Sequence, residues 1–235
     1  LLAVLVTDVT AQTLNEKELI VAQDAAWPPF AYLDENDQPK GLLVDLWRTY
    51  GETTGREVSF KLVDWQEGLD LVKEGKADIH GGLFYSDDRD KYLDFSEDLF
   101  PLKTRFFVFR DLDVGGLEDM GNVPVGITAG GYEEEFVREN YPAVQLKTFP
   151  NNKRMIQAAV DGDILAFVAD YPVGMYYLNQ FRVPDQFRVE QTLYANYLKA
   201  AVAEGNEVLL EGIGKGLALI PPSEYERIRQ KWILG

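Results

Sequence analysis

Cysteine is absent from the 235 residues, which excludes a disulfide framework and any thiolate metal site. Histidine occurs once, as His80, so zinc sites and mechanisms that need a histidine pair are excluded too. No apolar run reaches the ~20 residues of a membrane-spanning helix. Positive charge is scarce: 23 Lys and Arg against 39 Asp and Glu leave a net charge of −16. A surface of that sign repels phosphate backbones and anionic lipid, so nucleic acid is not an expected partner. No low-complexity tract or short-period repeat stands out.

What is present points to a globular chain. Hydrophobic residues make up 46% of it, and its length suits two small lobes better than one core. Leu1 to Val6, followed by Thr7 to Gln12, resembles the tail of a secretory signal with Val9-Thr10-Ala11 as a cleavage site. Residues 1–16 are therefore read as a signal remnant or an N-terminal extension. Beyond them, strand and helix patterns alternate, the signature of an α/β protein. Leu19 to Ala22, Val58 to Leu62 and Ala77 to Phe84 read as strands, and Leu42 to Tyr50 and Trp65 to Val72 as helices. After a buried strand at Phe106 to Phe109 the pattern restarts. Strands are expected at Val123 to Ile127, Val144 to Phe149 and Ile164 to Ala169, with helices at Glu133 to Asn140, Asn152 to Val160 and Tyr171 to Phe181. A strand at Tyr197 to Ala203 and helices from Glu207 and Ser223, the last ending at Trp232, complete the chain. The strand–helix unit thus occurs twice.

A set of short motifs falls along this frame in a fixed order. Trp27-Pro28-Pro29-Phe30 comes first, then Gly41-Leu42-Leu43-Val44-Asp45-Leu46, Gly75-Lys76-Ala77-Asp78-Ile79, Ser86-Asp87-Asp88-Arg89 and Asp94-Phe95-Ser96. Gly130-Gly131, Ala166-Phe167-Val168-Ala169-Asp170 and Lys231-Trp232 follow. Over residues 17–235 this order and spacing resembles the family 3 bacterial extracellular solute-binding proteins, in particular the branch that serves as Venus-flytrap sensor domains. Each motif alone is weak; the ordered set is specific for the fold and less so for the ligand. The resemblance implies two α/β lobes joined by two hinge strands, a periplasmic-binding-protein-like II fold. Lobe 1 would be discontinuous, 17–107 and 194–235, with lobe 2 inserted at 108–193 and the hinges near Arg105 to Val108 and Gln191 to Tyr194. The ligand would sit where the strands end.

The same resemblance implies the binding residues. Arg89 matches the arginine that holds a ligand carboxylate, a task suited to a planar guanidinium making two parallel charge-assisted bonds. The alternative for Arg89 is a surface partner of Asp87, Asp88 or Asp90. Asp170 matches the carboxylate that receives an ammonium group, or else caps the following helix, which has Pro172 in its first turn. Trp27 matches a stacking aromatic on a proline-stiffened loop, and Trp65 a pocket-rim position or a packing residue. Gly130, Gly131 and Tyr132 open a helix whose backbone N–H groups suit a carboxylate. Amino-acid binders commonly carry small hydroxyl residues before the arginine, whereas this chain has Gly81, Gly82, Leu83 and Phe84. Gly82 still offers an N–H, but Phe84 makes the pocket more apolar and points to an aromatic or extended carboxylate. His80, on the strand before the glycines, reads as a structural group, a ligand contact or a pH-sensitive gate.

No cofactor or metal is implied. The expected function is extracytoplasmic binding of a small carboxylate-bearing solute, an amino acid or related acid, by clamp closure at the periplasmic or extracellular face of the bacterial inner membrane. The partner would be a membrane permease, or the chain's own downstream transmembrane and signalling domains. The alternative is a prephenate or arogenate dehydratase-like lyase on the same fold, with His80 or an acidic residue of raised pKa as its acid.

Overall fold

The computed structural model describes residues 17–234; the expected signal remnant at 1–16 lies outside the described residues. β1 (Leu19–Asp24) carries Leu19, Val21 and Ala22 with almost no exposure, the apolar run of a strand covered on both faces. A small meander follows: β2 (Ala26–Trp27), β3 (Ala31–Leu33) and β4 (Pro39–Lys40). Gly41 leads into α1 (Leu42–Thr54) with φ at 127°, and a Cβ there would meet the Phe30 carbonyl oxygen at 2.3 Å, so only glycine fits. β5 (Val58–Val63), α2 (Trp65–Lys73) and β6 (Ile79–Leu83) complete the first unit, with β5 and β6 both parallel to β1.

β7 (Leu93–Phe109) then runs for 17 residues. The second unit is β8 (Val125–Thr128), α3 (Tyr132–Asn140), β9 (Leu146–Phe149), α4 (Asn152–Val160), β10 (Ala166–Asp170) and α5 (Tyr171–Gln180). β11 (Phe187–Ala203), also 17 residues, returns to the first unit, where α6 (Glu207–Ala218) and α7 (Pro222–Arg229) pack on α1. The main sheet has the order β5-β1-β6-β11-β7-β10-β8-β9. β7 and β11 lie side by side at its centre, antiparallel to each other, with a parallel αβ set on either flank. The chain is thus two α/β lobes joined by two hinge strands. Leu69, Val72 and Leu93 pack in one core cluster and Ile127, Val137 and Val168 in another, while the largest cluster runs from Leu42 of the first unit to Phe167 of the second.

Several expected elements differ in extent, most of all the strand expected at Tyr197 to Ala203, which is the end of β11. The strand expected at 106–109 is the end of β7, whose earlier part carries exposed Glu97, Asp98 and Lys103. Its pairing comes from β11, about a hundred residues away, and no local apolar pattern records that. The final helix stops at Arg229 and widens into a π turn over Gln230–Leu234. There Lys231 Nζ and Trp232 Nε1 both donate to Asp45 Oδ2, at 2.7 and 2.8 Å, which binds the tail to α1.

Candidate functional site

The ends of β1, β6, β8 and β10 converge on one cleft, the place where open α/β sheets present their loops. The lobes close on it so tightly that the cavity left between them is about 20 Å³. Lobe 1 supplies Asp24, Trp27, Trp65, Phe84 and Arg89; lobe 2 supplies Thr128, Gly131, Tyr132, Glu133 and Asp170.

Arg89 follows β6 in a short 3₁₀ turn, where its backbone N–H donates to Ser86 Oγ at 3.3 Å. Its side chain points inward and is 3% exposed. Nη1 donates to the Phe84 carbonyl at 2.8 Å, which fixes the plane of the guanidinium. The group lies between two aromatic rings, with Cζ 5.2 Å from the Trp65 centroid and 5.8 Å from that of Tyr132. Nη2 is buried without a hydrogen-bond partner among the described residues. Surface pairing with the neighbouring aspartates is not what the fold does with Arg89: Lys91 takes Asp88. Burial lowers the arginine's pKa, as expected for a cation removed from water without a bonded counter-charge.

Asp170 ends β10 and is 2% exposed. Its Oδ1 accepts from Thr104 Oγ1 at 2.6 Å and its Oδ2 from Trp27 Nε1 at 2.8 Å. The helix-capping alternative is corrected: Asp170 occupies the N-cap position of α5 but makes no capping bond, because both oxygens are turned into the cleft. Burial, followed by the nearby charge of Glu133, pushes its pKa up to about 8, against the opposing effect of the two hydrogen bonds.

Hydrogen bonds tie the lobes across the cleft, among them Trp27 to Asp170, Trp65 Nε1 to the Gly130 carbonyl at 2.9 Å, and Asn151 Nδ2 to Asp64 Oδ1 at 2.9 Å. Gly130 adopts φ 69°, and α3 starts one residue earlier than expected, at Tyr132. Tyr132 meets the Phe84 ring at 5.4 Å, so Phe84 forms part of an aromatic wall. Trp27→Phe keeps the ring contact with Phe30 but removes the N–H that Asp170 accepts. A bond to a charged group contributes ~1.5–3 kcal/mol, so the open form should gain about tenfold or more. Solution scattering should then show a larger radius of gyration without added ligand; an unchanged radius would mean the bond does not hold the cleft.

Gly82 and His80 do not line the cavity. The Gly82 N–H points to His80 Nδ1 at 3.4 Å, and its carbonyl accepts from Gln23 Nε2. A Cβ at Gly82 would lie 2.7 Å from Leu43, so its glycine serves packing against α1. His80 lies behind Trp65, with ring centroids 5.1 Å apart, and burial together with the Arg89 charge lowers its pKa to about 3. Burial thus disfavours the charged imidazole, which speaks against the gate reading.

Two acids of the cleft were not singled out from the sequence. Asp24 ends β1 as Asp170 ends β10, is 2% exposed, and accepts the Ala26 N–H at 2.8 Å; burial raises its pKa to about 7. The signal was available, an acid closing an apolar strand, and it applies to both residues. Glu133 is hidden in the run Glu133-Glu134-Glu135, which reads as a solvated helix start. Glu134 behaves that way, bonding Gly130 N–H and Arg138, whereas the Glu133 carboxyl is turned inward and its pKa is raised by burial.

The family model for bacterial extracellular solute-binding proteins, family 3, matches residues 19–235. The arginine-binding extracellular protein ArtP of Bacillus subtilis is 24% identical over 94% of this chain and 88% of its own length. The sensor protein EvgS of Escherichia coli is 28% identical over 92% of this chain, which spans only 18% of that receptor. Among solved structures, a histidine kinase sensor domain with similarity to periplasmic binding proteins superposes with a TM-score of 0.87 at 27% identity, covering 93% of this chain and 97% of that one.

Proposed function

The chain belongs to the bacterial extracellular solute-binding proteins, family 3, and from that premise we propose that it is an extracytoplasmic clamp for an amino acid or related carboxylate-bearing solute, acting as the sensor domain of a transmembrane receptor. The observation that carries the reading is Arg89: a buried guanidinium, oriented by Phe84 and two rings, with one nitrogen still to be satisfied inside the cleft. A ligand carboxylate supplies the missing acceptor and the missing counter-charge together. Asp170, on the opposite lobe, receives the ammonium group. A ligand that touches both lobes favours the closed form by the difference in its affinity for the two forms. The likeness to a histidine kinase sensor domain and to EvgS supports the sensing role; the transport role of a binding protein would use the same clamp against a permease. The lobes divide at residues 107–108 and 193–194, next to the register shifts of β11 between Val189 and Tyr194.

A thermal-shift screen over amino acids, aromatic acids, dicarboxylates and polyamines tests the reading. A carboxylate-bearing solute at a hundred times its Kd should stabilise the fold by about 2.7 kcal/mol and raise the melting temperature accordingly. A response to polyamines alone would defeat it. One observation favours a second reading: Asp170 holds its proton to about pH 8 and so offers a general acid for a dehydratase. Turnover of prephenate, lost in Asp170→Asn, would replace binding by catalysis.

A further inference from the structure

Away from the cleft, β7 meets both lobes around a second cavity of about 420 Å³, a size that suits a small molecule. Phe30 and Leu42 of lobe 1, Phe100 and Leu102 of β7, and Tyr171 and Pro172 at the start of α5 form its apolar walls. Strand alternation separates it from the cleft. Thr104 bonds Asp170 beside the ligand space, whereas its neighbours Lys103 and Arg105, two residues apart on β7, turn the other way towards Tyr171. Lys103 lines the cavity with Tyr171, and Arg105 Cζ stands 5.6 Å from the centre of the Tyr171 ring. Arg105 Nε is buried without a hydrogen-bond partner among the described residues. Lys103 is exposed, and no described residue gives its ammonium a hydrogen bond or an ion pair. A third cation, Arg229 of α7, lines the same cavity, its guanidinium held by Glu226. Among the described residues no carboxyl side chain lines it, in a chain with 39 acidic residues and 23 basic ones. Local charge here therefore runs against the charge of the whole molecule. Apolar walls favour an apolar body, and a rim of cations favours an anionic end.

We propose that this cavity is a second ligand site, for an amphipathic carboxylate: an aliphatic chain lies between the apolar walls, and its carboxylate rests against Lys103 and the Arg105 guanidinium. The site is separate from the cleft and does not depend on what the cleft binds. The chain displaces water from Phe30, Phe100 and Tyr171, so affinity grows with each methylene buried, as it does not for an ion pair on an open surface. Its walls come from both lobes and from a hinge strand, so an occupant meets a different surface when the lobes change their relative position.

Isothermal titration at neutral pH with straight-chain acids from hexanoate to decanoate, kept below their micelle concentrations, tests this. Affinity should rise about three- to fourfold per added methylene. Decanoate should bind about tenfold or more tightly than decylamine, although the net charge of −16 favours the amine. Two variants probe the cavity, their folds checked by circular dichroism: Lys103→Glu reverses a charge at an exposed position, and Ala195→Phe places a ring among the lining residues. Each should weaken decanoate by about tenfold or more. Arg89→Ala, which removes the anion site of the cleft, locates the acid: decanoate should bind it as it binds the parent protein. Loss of decanoate in Arg89→Ala would put the acid in the cleft and overturn the second site. Full binding by both cavity variants would overturn it as well. So would decylamine binding as tightly as decanoate, an affinity indifferent to chain length, or a parent protein that binds no decanoate.

Discussion

Arg89→Ala should abolish measurable binding of carboxylate-bearing solutes, a loss of at least a hundredfold, while the protein remains folded. The size follows from what is removed: two charge-assisted hydrogen bonds of ~2 kcal/mol each, in a site closed to water. The fold should tolerate the change because the guanidinium's structural contacts are its bond to the Phe84 carbonyl and its approach to the Trp65 and Tyr132 rings, none of them an ion pair. Its charge is buried without a bonded counter-ion, which is a cost to the protein when no ligand is bound. The variant's melting temperature without ligand should therefore stay level or rise. Arg89→Lys separates charge from geometry: an ammonium keeps the sign but loses the planar fork, so affinity should fall to an intermediate value. Titration calorimetry and thermal melts on the same samples decide. Unchanged affinity in Arg89→Ala would remove the anion site on which the functional reading depends.

The second large effect is on stability as a function of pH. Asp24 and Asp170 bind their protons more tightly in the folded chain, where burial raises their pKa from 3.8 to about 7 and about 8. Protonation therefore favours folding. The contribution is complete below the unfolded value and is lost as pH rises through the two folded values. Without ligand, the protein should be most stable in mild acid and lose a few kcal/mol between pH 5 and 9. For a chain of this length each kcal/mol corresponds to roughly 2–4 °C in Tm. Asp24→Asn keeps an oxygen for the Ala26 N–H and should flatten the slope around pH 7. A melting temperature that is level or rising across this range in the parent protein would contradict the burial of ionisable acids in the cleft. A ligand ammonium at Asp170 reverses that residue's dependence, since it favours the ionised carboxylate; its affinity should rise as pH increases towards 8.

Much of the frame was legible before any coordinates. Asn152 to Val160 is bounded as the pattern implied, and Ile164 to Ala169 read as a covered strand because nearly every side chain there is apolar. Arg89, Asp170, Trp27, Trp65, Phe84 and Tyr132 meet in one cleft, as their shared motif order implied. What was hidden has two physical causes. Long antiparallel pairing leaves no local trace, so β7 and β11 showed only their buried ends. And the direction in which a charged side chain turns is set by tertiary packing: Glu133 and Glu134 are neighbours of the same type, yet one faces the cavity and the other bonds Arg138. Gly82 and His80 show the converse. Their strand lies beside the site, but the Gly82 N–H meets His80 Nδ1 and its carbonyl meets Gln23, not the cavity.

The pairing of β7 with β11 has a mechanical meaning. From Leu93 opposite Ala203 to Phe109 opposite Phe187, the two connectors are laced together as one ribbon. A hydrogen-bonded ribbon resists shear and stretching in its own plane and yields most readily to flexing out of it, like a leaf spring. Bulges in β11 between Val189 and Tyr194, and between Leu198 and Ala201, mark where it is softest. The two halves of the molecule are thereby held to a single swinging motion, so the small free energy gained at the mouth is delivered as one rotation instead of being scattered over many loose modes.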